Sequence, residues 1–388
     1  MSAEVRAGNP VAPLYDSEGD RTMIVRRGSV PEGPVEPDTM GHYLVMVESA
    51  GPGSRVEIGA TPVTIGRHPE QTLVLADTQL SRRHARVSLV NDQAMVEDLG
   101  STNGTFVDGE RITAPWMLVA GSVLRIGGCR LRYERRSRRD VERAEDLERD
   151  LSNASNYVLS LLPAPLADGP VRTEWRFIPS AQLGGDAFGY SWLDPDTFAF
   201  YLFDVAGHGV GSAMHSVTVM NVLRQRALPH VDFADPASVL SSLNVRFQMD
   251  GHSGLFFTMW YGVYRPGDRT LVCGSAGHHP AYLVPTDRAA AYPLGTPGLM
   301  VGVALDTAYH VQRTTVPEGS ALYLFSDGAF EIVTSDQRRW TQAEFLPLLL
   351  QPASPDIPDT ERIYRTVREL AGPGPLDDDF SLMAVSFP

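Results

Sequence analysis

The chain has 388 residues, 43% hydrophobic and 21% charged, a balance that fits two or three globular domains rather than a fibrous or wholly disordered chain. Its 33 basic against 47 acidic residues give a net charge of −14, which argues against nonspecific nucleic-acid binding. No apolar run approaches membrane-spanning length, the N-terminus lacks the apolar core of a signal peptide, and Cys129 and Cys273 fall in separate halves; a reducing cytoplasmic setting with no membrane and no nucleic-acid partner is expected. Residues 1–41 are polar, rich in proline and glycine and without a sustained period, so a disordered tail is expected. It carries Thr22 and Thr39 in polar settings that a kinase could reach.

From 42 to 133, short apolar runs alternate with Gly and Asn turns, with strands predicted at 43–47, 61–65, 85–90, 94–97, 105–107 and 123–126. Regular short strands of this kind indicate a β-sandwich. Three loop motifs stand out: Gly66-Arg67, Ser81-Arg82-Arg83-His84 and Ser101-Thr102-Asn103-Gly104-Thr105. Arginine forks with hydroxyl and amide donors suit an oxyanion such as phosphate. Each piece alone reads more simply as a hairpin turn or a solvated charge. Together they resemble a forkhead-associated (FHA) domain spanning about Tyr43 to Tyr133. The resemblance implies an eleven-stranded sandwich that binds phosphothreonine peptides at one end. By the same resemblance Arg67, Ser81, Arg82, Thr102 and Asn103 contact phosphate or peptide backbone, while His84 and Gly66 are structural.

Residues 134–163 read as a helical linker. The run Glu134-Arg135-Arg136-Ser137-Arg138-Arg139 is expected to be a solvated face or linker. Ala144, Leu147, Leu151, Ala154, Val158 and Leu161 then recur at alternating intervals of three and four, a coiled-coil-like seam that Pro163 ends. Two readings stay open: the helix packs on its own C-terminal domain, or it pairs with a second copy in a homodimer. The seam is too short, and too rich in small residues, to dimerise strongly alone.

The remaining stretch, 164–388, is organised around Tyr201-Leu202-Phe203-Asp204-Val205-Ala206-Gly207-His208-Gly209. An apolar strand delivers one acid to its mouth, glycines follow, and a helix is predicted over 212–227. A glycine turn between strand and helix could cradle phosphate. The dinucleotide pattern would need glycine at Met214, however, the P-loop lysine is absent, and Asp204 would repel the phosphate. Other acids stand in similar places. Gly184-Gly185-Asp186 follows an extended stretch at 175–178, Asp327-Gly328 follows a strand at 321–325, and Asp377-Asp378-Asp379 precedes a terminal strand at 380–387. A single strand-end Asp-Gly is usually a turn. Several gathered bare would repel, and hard divalent cations resolve that repulsion. Oxygen-only ligands suit magnesium or manganese, not zinc. Further strands are predicted at 255–264, 269–274 and 281–284, and helices at 236–249, 341–350 and 360–370.

Gly184-Gly185-Asp186, Asp204-Val205-Ala206-Gly207-His208-Gly209, Ala276-Gly277-His278, Ser326-Asp327-Gly328 and Asp378-Asp379 occur in the order found in the SpoIIE/RsbU branch of the PPM metal-dependent protein phosphatases, which this half resembles from about Val171 to Pro388. The resemblance implies an α/β domain of two packed antiparallel sheets flanked by helices, with two Mn or Mg ions between the sheets. It implies hydrolysis of phosphoserine and phosphothreonine by water activated at those ions. Asp186, Asp204 as the bridging group, the Val205 carbonyl, Asp327 and Asp378 are the implied ligands, with Asp379 in support. One departure is Gly189, where many relatives carry an acid three residues after the Gly-Gly-Asp aspartate; it puts a third metal position in doubt.

Other chemistries fall away. Cys273-Gly274-Ser275-Ala276-Gly277 lacks the first glycine of a hydrolase elbow, and no arginine follows Cys273 at close range. His278 is read as shaping its turn, with a catalytic role as the alternative, and His208 as packing, with donation of a proton or hydrogen bond near the metal turn as the alternative. The whole is a multidomain chain: FHA sandwich, helical linker and phosphatase. The resemblance points to a phosphorylated STAS-type anti-sigma-factor antagonist as substrate, in bacterial signalling. A phosphothreonine protein, or the chain's own phosphorylated tail, is the expected FHA ligand. The alternative is a catalytically weak phosphopeptide scaffold, against which the full set of aspartates argues.

Overall fold

A computed structural model describes residues 39–48, 55–249, 254–354 and 356–388. The tail expected over 1–38, with Thr22, lies outside the described residues. Residues 40 and 41, also expected in the tail, already belong to the first strand, where Gly41 faces Arg136. The chain forms two compact units that divide in sequence between Ala144 and Glu145. No helix among the described residues is long and apolar enough to cross a membrane.

The first unit holds eleven described strands: β1 (Met40–Glu48), β2 (Arg55–Glu57), β3 (Val63–Gly66), β4 (Leu73–Val74), β5 (Ala85–Val90), β6 (Gln93–Asp98), β7 (Thr105–Val107), β8 (Glu110–Arg111), β9 (Trp116–Met117), β10 (Val123–Ile126) and β11 (Cys129–Ser137). One sheet runs β2-β1-β11-β10-β7-β8 and the other β4-β3-β5-β6-β9. Alternation builds the core: in β5, Ala85 and Val87 are buried and Arg86 is exposed, and in β11, Leu131 and Tyr133 are buried between exposed arginines. The basic run from Glu134 is not a linker. Its first four residues complete β11, held by backbone pairing with β1 from Met40↔Ser137 to Tyr43↔Glu134. Backbone pairing of this kind leaves no hydrophobic alternation to read.

Ser137 then starts α1 (Arg138–Leu161), its Oγ accepting a bond from the Asp140 N–H at 3.1 Å. Along the predicted seam Ala144 and Leu147 are exposed, whereas Leu151, Ala154, Val158 and Leu161 are half-buried. The end of the helix is held within the second unit, to which it belongs from Glu145 on: Arg224 donates to the Leu161 carbonyl, and the Trp175 indole to the Pro163 carbonyl at 3.0 Å.

The second unit contains β12 (Arg172–Ile178), β13 (Asp186–Asp194), β14 (Thr197–Val205), α2 (Val210–Arg224), α3 (Pro236–Arg246), β15 (Phe257–Arg265), β16 (Thr270–Ala276), β17 (Ala281–Val284), β18 (Tyr292–Leu294), β19 (Gln312–Thr315), β20 (Ser320–Phe325), α4 (Gln342–Leu349), α5 (Asp359–Ala371) and β21 (Phe380–Phe387). Its strands form two antiparallel sheets, β12-β21-β20-β17-β18 and β13-β14-β15-β16-β19. The two-residue strand period divides the core. Leu322, Leu324, Met383 and Val385 pack with Leu202 and Trp260 in one cluster, while Tyr323, Phe325, Leu382 and Ala384 pack with Phe345 of α4 and Ile363 of α5 in another. Each fully buried aromatic or aliphatic side chain contributes about 1.5–3 kcal/mol. The helix after the glycines ends at Arg224, three residues before the predicted limit, because Arg226 adopts a left-handed φ of 52°. Strands β13, β18 and β19 were not predicted. In β13, Gly189 interrupts the apolar pattern because the Tyr201 ring opposite occupies the space a Cβ would need.

Candidate functional site

Strand register sets the carboxylate cluster of the second unit. β13 pairs with β14 so that Asp186 lies directly opposite Asp204. After Val205 the chain turns through Gly207 and Gly209 at φ of 87° and 88°, a conformation that favours glycine, and Gly209 becomes the N-cap of α2. Gly185 lies so close to the Val205 carbonyl that a Cβ would stand 2.8 Å from its oxygen. Asp327 opens a 3-10 turn directly after β20, and Asp378 and Asp379 precede β21 beside it.

Asp379 is the brace of this arrangement. Its Oδ1 accepts bonds from the Ser180 N–H and hydroxyl at 2.7 and 2.9 Å, and its Oδ2 from the Gly185 N–H at 2.6 Å. A Cβ on Gly184 would come within 2.5 Å of that carboxylate. With both oxygens so engaged, Asp379 fixes the turn that carries Asp186 rather than presenting a free oxygen. Ser326 donates to the Asp379 carbonyl at 2.9 Å, and the buried Ser216 of α2 donates to the Gly185 carbonyl. Ser180 and Ser216 carry no local signal in the sequence, since their partners are tertiary; Ser326 stands inside a strand-end motif.

The electrostatics follow from burial and crowding. Asp186 is held well above the usual carboxylate range by burial, then by Asp204 and Asp379. Burial, followed by Asp327, Asp378 and Asp379, pushes Asp204 up to about 7. Asp327 rises to about 6 through burial and then Asp378, and Asp378 is raised mainly by burial. Two bare carboxylates about 5 Å apart repel by about 3 kcal/mol at an effective dielectric of about 20. Among the described residues no three His, Cys, Asp or Glu side chains converge into a finished ligand set for one ion. The donor chemistry nevertheless fits hard divalent cations: the neighbours are oxygens, and Asp186 Oδ2 is buried without a hydrogen-bond partner.

The histidines sort differently from expectation in one case. His208 is exposed rather than packed, on the glycine turn within electrostatic reach of Asp378. His278 is buried with Nδ1 2.8 Å from the His279 carbonyl, and burial followed by His279 keeps it well below the usual imidazole range. Burial lifts the Cys273 thiol to about 12, which excludes a thiolate nucleophile there.

In the first unit the three predicted loops meet. Gly66 lies against the Arg82 carbonyl without room for a Cβ, and the Arg67 N–H donates to the Ser81 carbonyl at 3.1 Å. Ser81 Oγ accepts from the Thr102 N–H at 3.0 Å, and Asn103 Nδ2 donates to the Gln79 carbonyl at 2.7 Å. His84 is fully buried: Nδ1 accepts from the Ser81 N–H at 3.2 Å and Nε2 donates to the Gly104 carbonyl at 3.2 Å, a neutral ring with its proton on Nε2. Asp98, with no motif to mark it, accepts bonds from the Ser101 N–H and hydroxyl and from Thr105. Arg67, Arg82, Thr102 and Asn103 are exposed, Ser81 is half-buried, and neither Arg67 nor Arg82 makes an ion pair among the described residues. Arg83 is exposed beside them.

The sequence model of the family described as stage II sporulation protein E (SpoIIE) matches residues 194–388, and that of the FHA domain matches residues 63–127. Over 159 residues the chain is 26% identical to the phosphoserine phosphatase RsbU of Bacillus subtilis, covering 41% of this chain and 46% of that protein. Over 109 residues it is 41% identical to the FHA domain-containing protein FhaB of Mycolicibacterium smegmatis, covering 27% of this chain and 70% of that protein. The chain thus spans less than half the length of RsbU. The solved SiaA-PP2C domain of Pseudomonas aeruginosa shares the fold at a TM-score of 0.56 and 21% identity, covering 63% of this chain and 98% of that domain.

Proposed function

Since the chain belongs to the SpoIIE family and carries an FHA domain ahead of its PPM-type phosphatase fold, we propose that it is a metal-dependent protein serine/threonine phosphatase directed or regulated by phosphothreonine binding. The observation that carries this reading is the gathering of Asp186, Asp204, Asp327 and Asp378 at the mouths of two packed sheets, with raised proton affinities and an unpartnered Asp186 oxygen. Asp186, Asp204, Asp327, Asp378 and the Val205 carbonyl would hold two Mn or Mg ions, Asp204 serving both. Bound there, such ions supply a nucleophilic water near neutral pH and neutralise charge on the phosphoryl group. The chain's own residues prepare that place. Asp379, Ser180 and Ser216 fix the Gly-Gly-Asp turn. His208, exposed on the glycine turn within electrostatic reach of Asp378, would protonate the leaving serine or threonine oxygen. The deeply buried, protonated Cys273 offers no covalent route. Similarity to RsbU supports a phosphoserine substrate, and a phosphorylated STAS-type antagonist is the candidate. In the FHA half, Arg67, Ser81, Arg82, Thr102 and Asn103 would take the phosphothreonine of a partner protein or of the chain's own tail.

The test is hydrolysis of an aryl phosphate and of phosphoserine and phosphothreonine peptides by the intact chain with Mn, with Mg and with excess chelator. Turnover with either metal and none in chelator is expected. Turnover that persists in chelator, or none with either metal, overturns the reading.

A further inference from the structure

A cavity of about 510 Å³ opens beside Asp378, which forms part of its wall. Its lining is mixed: Phe330, Ile332 and Trp340, otherwise buried, contribute apolar surface beside the polar groups of Glu331, Thr341, Gln342 and Asp377. Val333 stands at the rim, 38% exposed, and Arg339 lies opposite it across an antiparallel backbone bridge. The Arg339 side chain makes no ion pair among the described residues, whereas the adjacent Arg338 is held by Glu344. Past Ile332, Val333 and Asp377 the groove continues into a second cavity of about 480 Å³. A phosphoresidue seated at Asp378 must continue as polypeptide in both directions, and each extended residue advances the chain by about 3.3 Å. The first cavity therefore lies within one or two residues of the reacting phosphate. It is larger than one side chain needs, so it has room for main chain as well.

Resting on the phosphatase reading above, we propose that this groove is the specificity subsite: it takes an extended segment of the substrate protein and seats an apolar side chain, flanking the phosphoresidue, against Phe330, Ile332, Val333 and Trp340. Arg339 offers its guanidinium donors to main-chain carbonyls of that segment. Burial of one leucine-sized group in such a pocket discriminates by roughly tenfold or more.

The experiment uses the full chain with Mn and three probes: an aryl phosphate, which has no flanking residues, and phosphoserine peptides carrying either Leu or Ala at the two positions on each side of the phosphoserine. The kcat/KM for the Leu peptide should exceed that for the Ala peptide by about tenfold. In Val333→Asp, a change at an exposed rim, the loss on the Leu peptide should exceed the loss on aryl phosphate by about tenfold. Binding of the same two sequences bearing a non-hydrolysable phosphonate, read by fluorescence anisotropy, should show the same order. Equal kcat/KM and equal binding for the Leu and Ala peptides overturns the subsite while leaving the phosphatase standing. So does a Val333→Asp loss of equal size on all three probes. Absence of aryl phosphate hydrolysis by the unaltered chain removes the phosphatase reading itself, and the subsite with it.

Discussion

Asp204 is the residue on which the catalytic reading turns. It faces Asp186 across one strand pair, and its carboxyl is pushed up to about 7 by burial and by three neighbouring acids. Asp204→Asn removes a repelling charge, so the fold should hold with equal or greater thermal stability. On the proposed reading, in which Asp204 serves both ions, metal-dependent hydrolysis of an aryl phosphate should nevertheless fall at least about a hundredfold. Equal turnover in that variant would assign the chemistry elsewhere. Arg67 is the matching test position in the FHA half, exposed and without an ion pair among the described residues. A charge-assisted bond to phosphate is worth about 1.5–3 kcal/mol, so Arg67→Ala should weaken phosphothreonine-peptide binding by about 10- to 100-fold in calorimetry. These residues were legible because each stands in a short motif at the end of a strand. Ser180 was not, since its partner Asp379 lies 199 positions away in sequence. Nor was Ser216, which reads as an ordinary helical serine until the fold brings it to the Gly185 carbonyl.

Elements explain why the site survives its own repulsion. Asp186 and Asp204 sit on paired strands and Asp327 and Asp378 in turns next to strands, and the segment before β13 is pinned to the start of β21 by Asp379. Behind the β12-β21-β20-β17-β18 sheet, Asp359 at the head of α5 takes bonds from the Tyr323 hydroxyl at 2.7 Å and from Arg362 at 2.9 Å, and it is paired with Arg288. Burial would raise the Asp359 carboxyl, but these bonds outweigh it and hold the group below its ordinary value. A depressed acid adds stability above its unfolded pKa of about 3.9, and that stability is lost as pH falls through the lower folded value. Asp359→Asn should therefore destabilise the second unit by about 3 kcal/mol at neutral pH, since it leaves two arginines without their partner. The gap from the unaltered chain should narrow below about pH 4. Urea unfolding followed by tryptophan fluorescence measures both, and a pH-independent gap would count against this assignment. The basic run at the end of β11 shows the limit of reading elements from pattern. Backbone pairing with β1 made it a strand, and pairing leaves no trace in composition.

At the scale of the whole molecule, the loop cluster of the FHA half and the carboxylate cluster of the second unit share one chain, joined through α1. Thr22, outside the described residues, and Thr39, exposed just before β1, are tail threonines close in sequence to the FHA half. Phosphorylated, they would meet its loops at high effective concentration and compete with partners in trans. Occupancy regulates turnover only if the ligand favours one arrangement of α1 over another. On that account, saturating phosphothreonine peptide should change phosphatase turnover of the intact chain, but not of Arg67→Ala. Unchanged turnover in the intact chain would leave the FHA half as a localising module. The sandwich of the first unit was legible from strand spacing and the two-sheet fold of the second only through the resemblance its acid motifs carry, whereas strands interrupted by glycine, such as β13, were not legible. Everything in the catalytic account depends on the carboxylates binding metal. Calorimetric titration of the intact, chelator-stripped chain with Mn should therefore give two equivalents bound, and Asp204→Asn should lose at least one of them. No binding by the unaltered chain, or identical binding by the variant, would contradict the account.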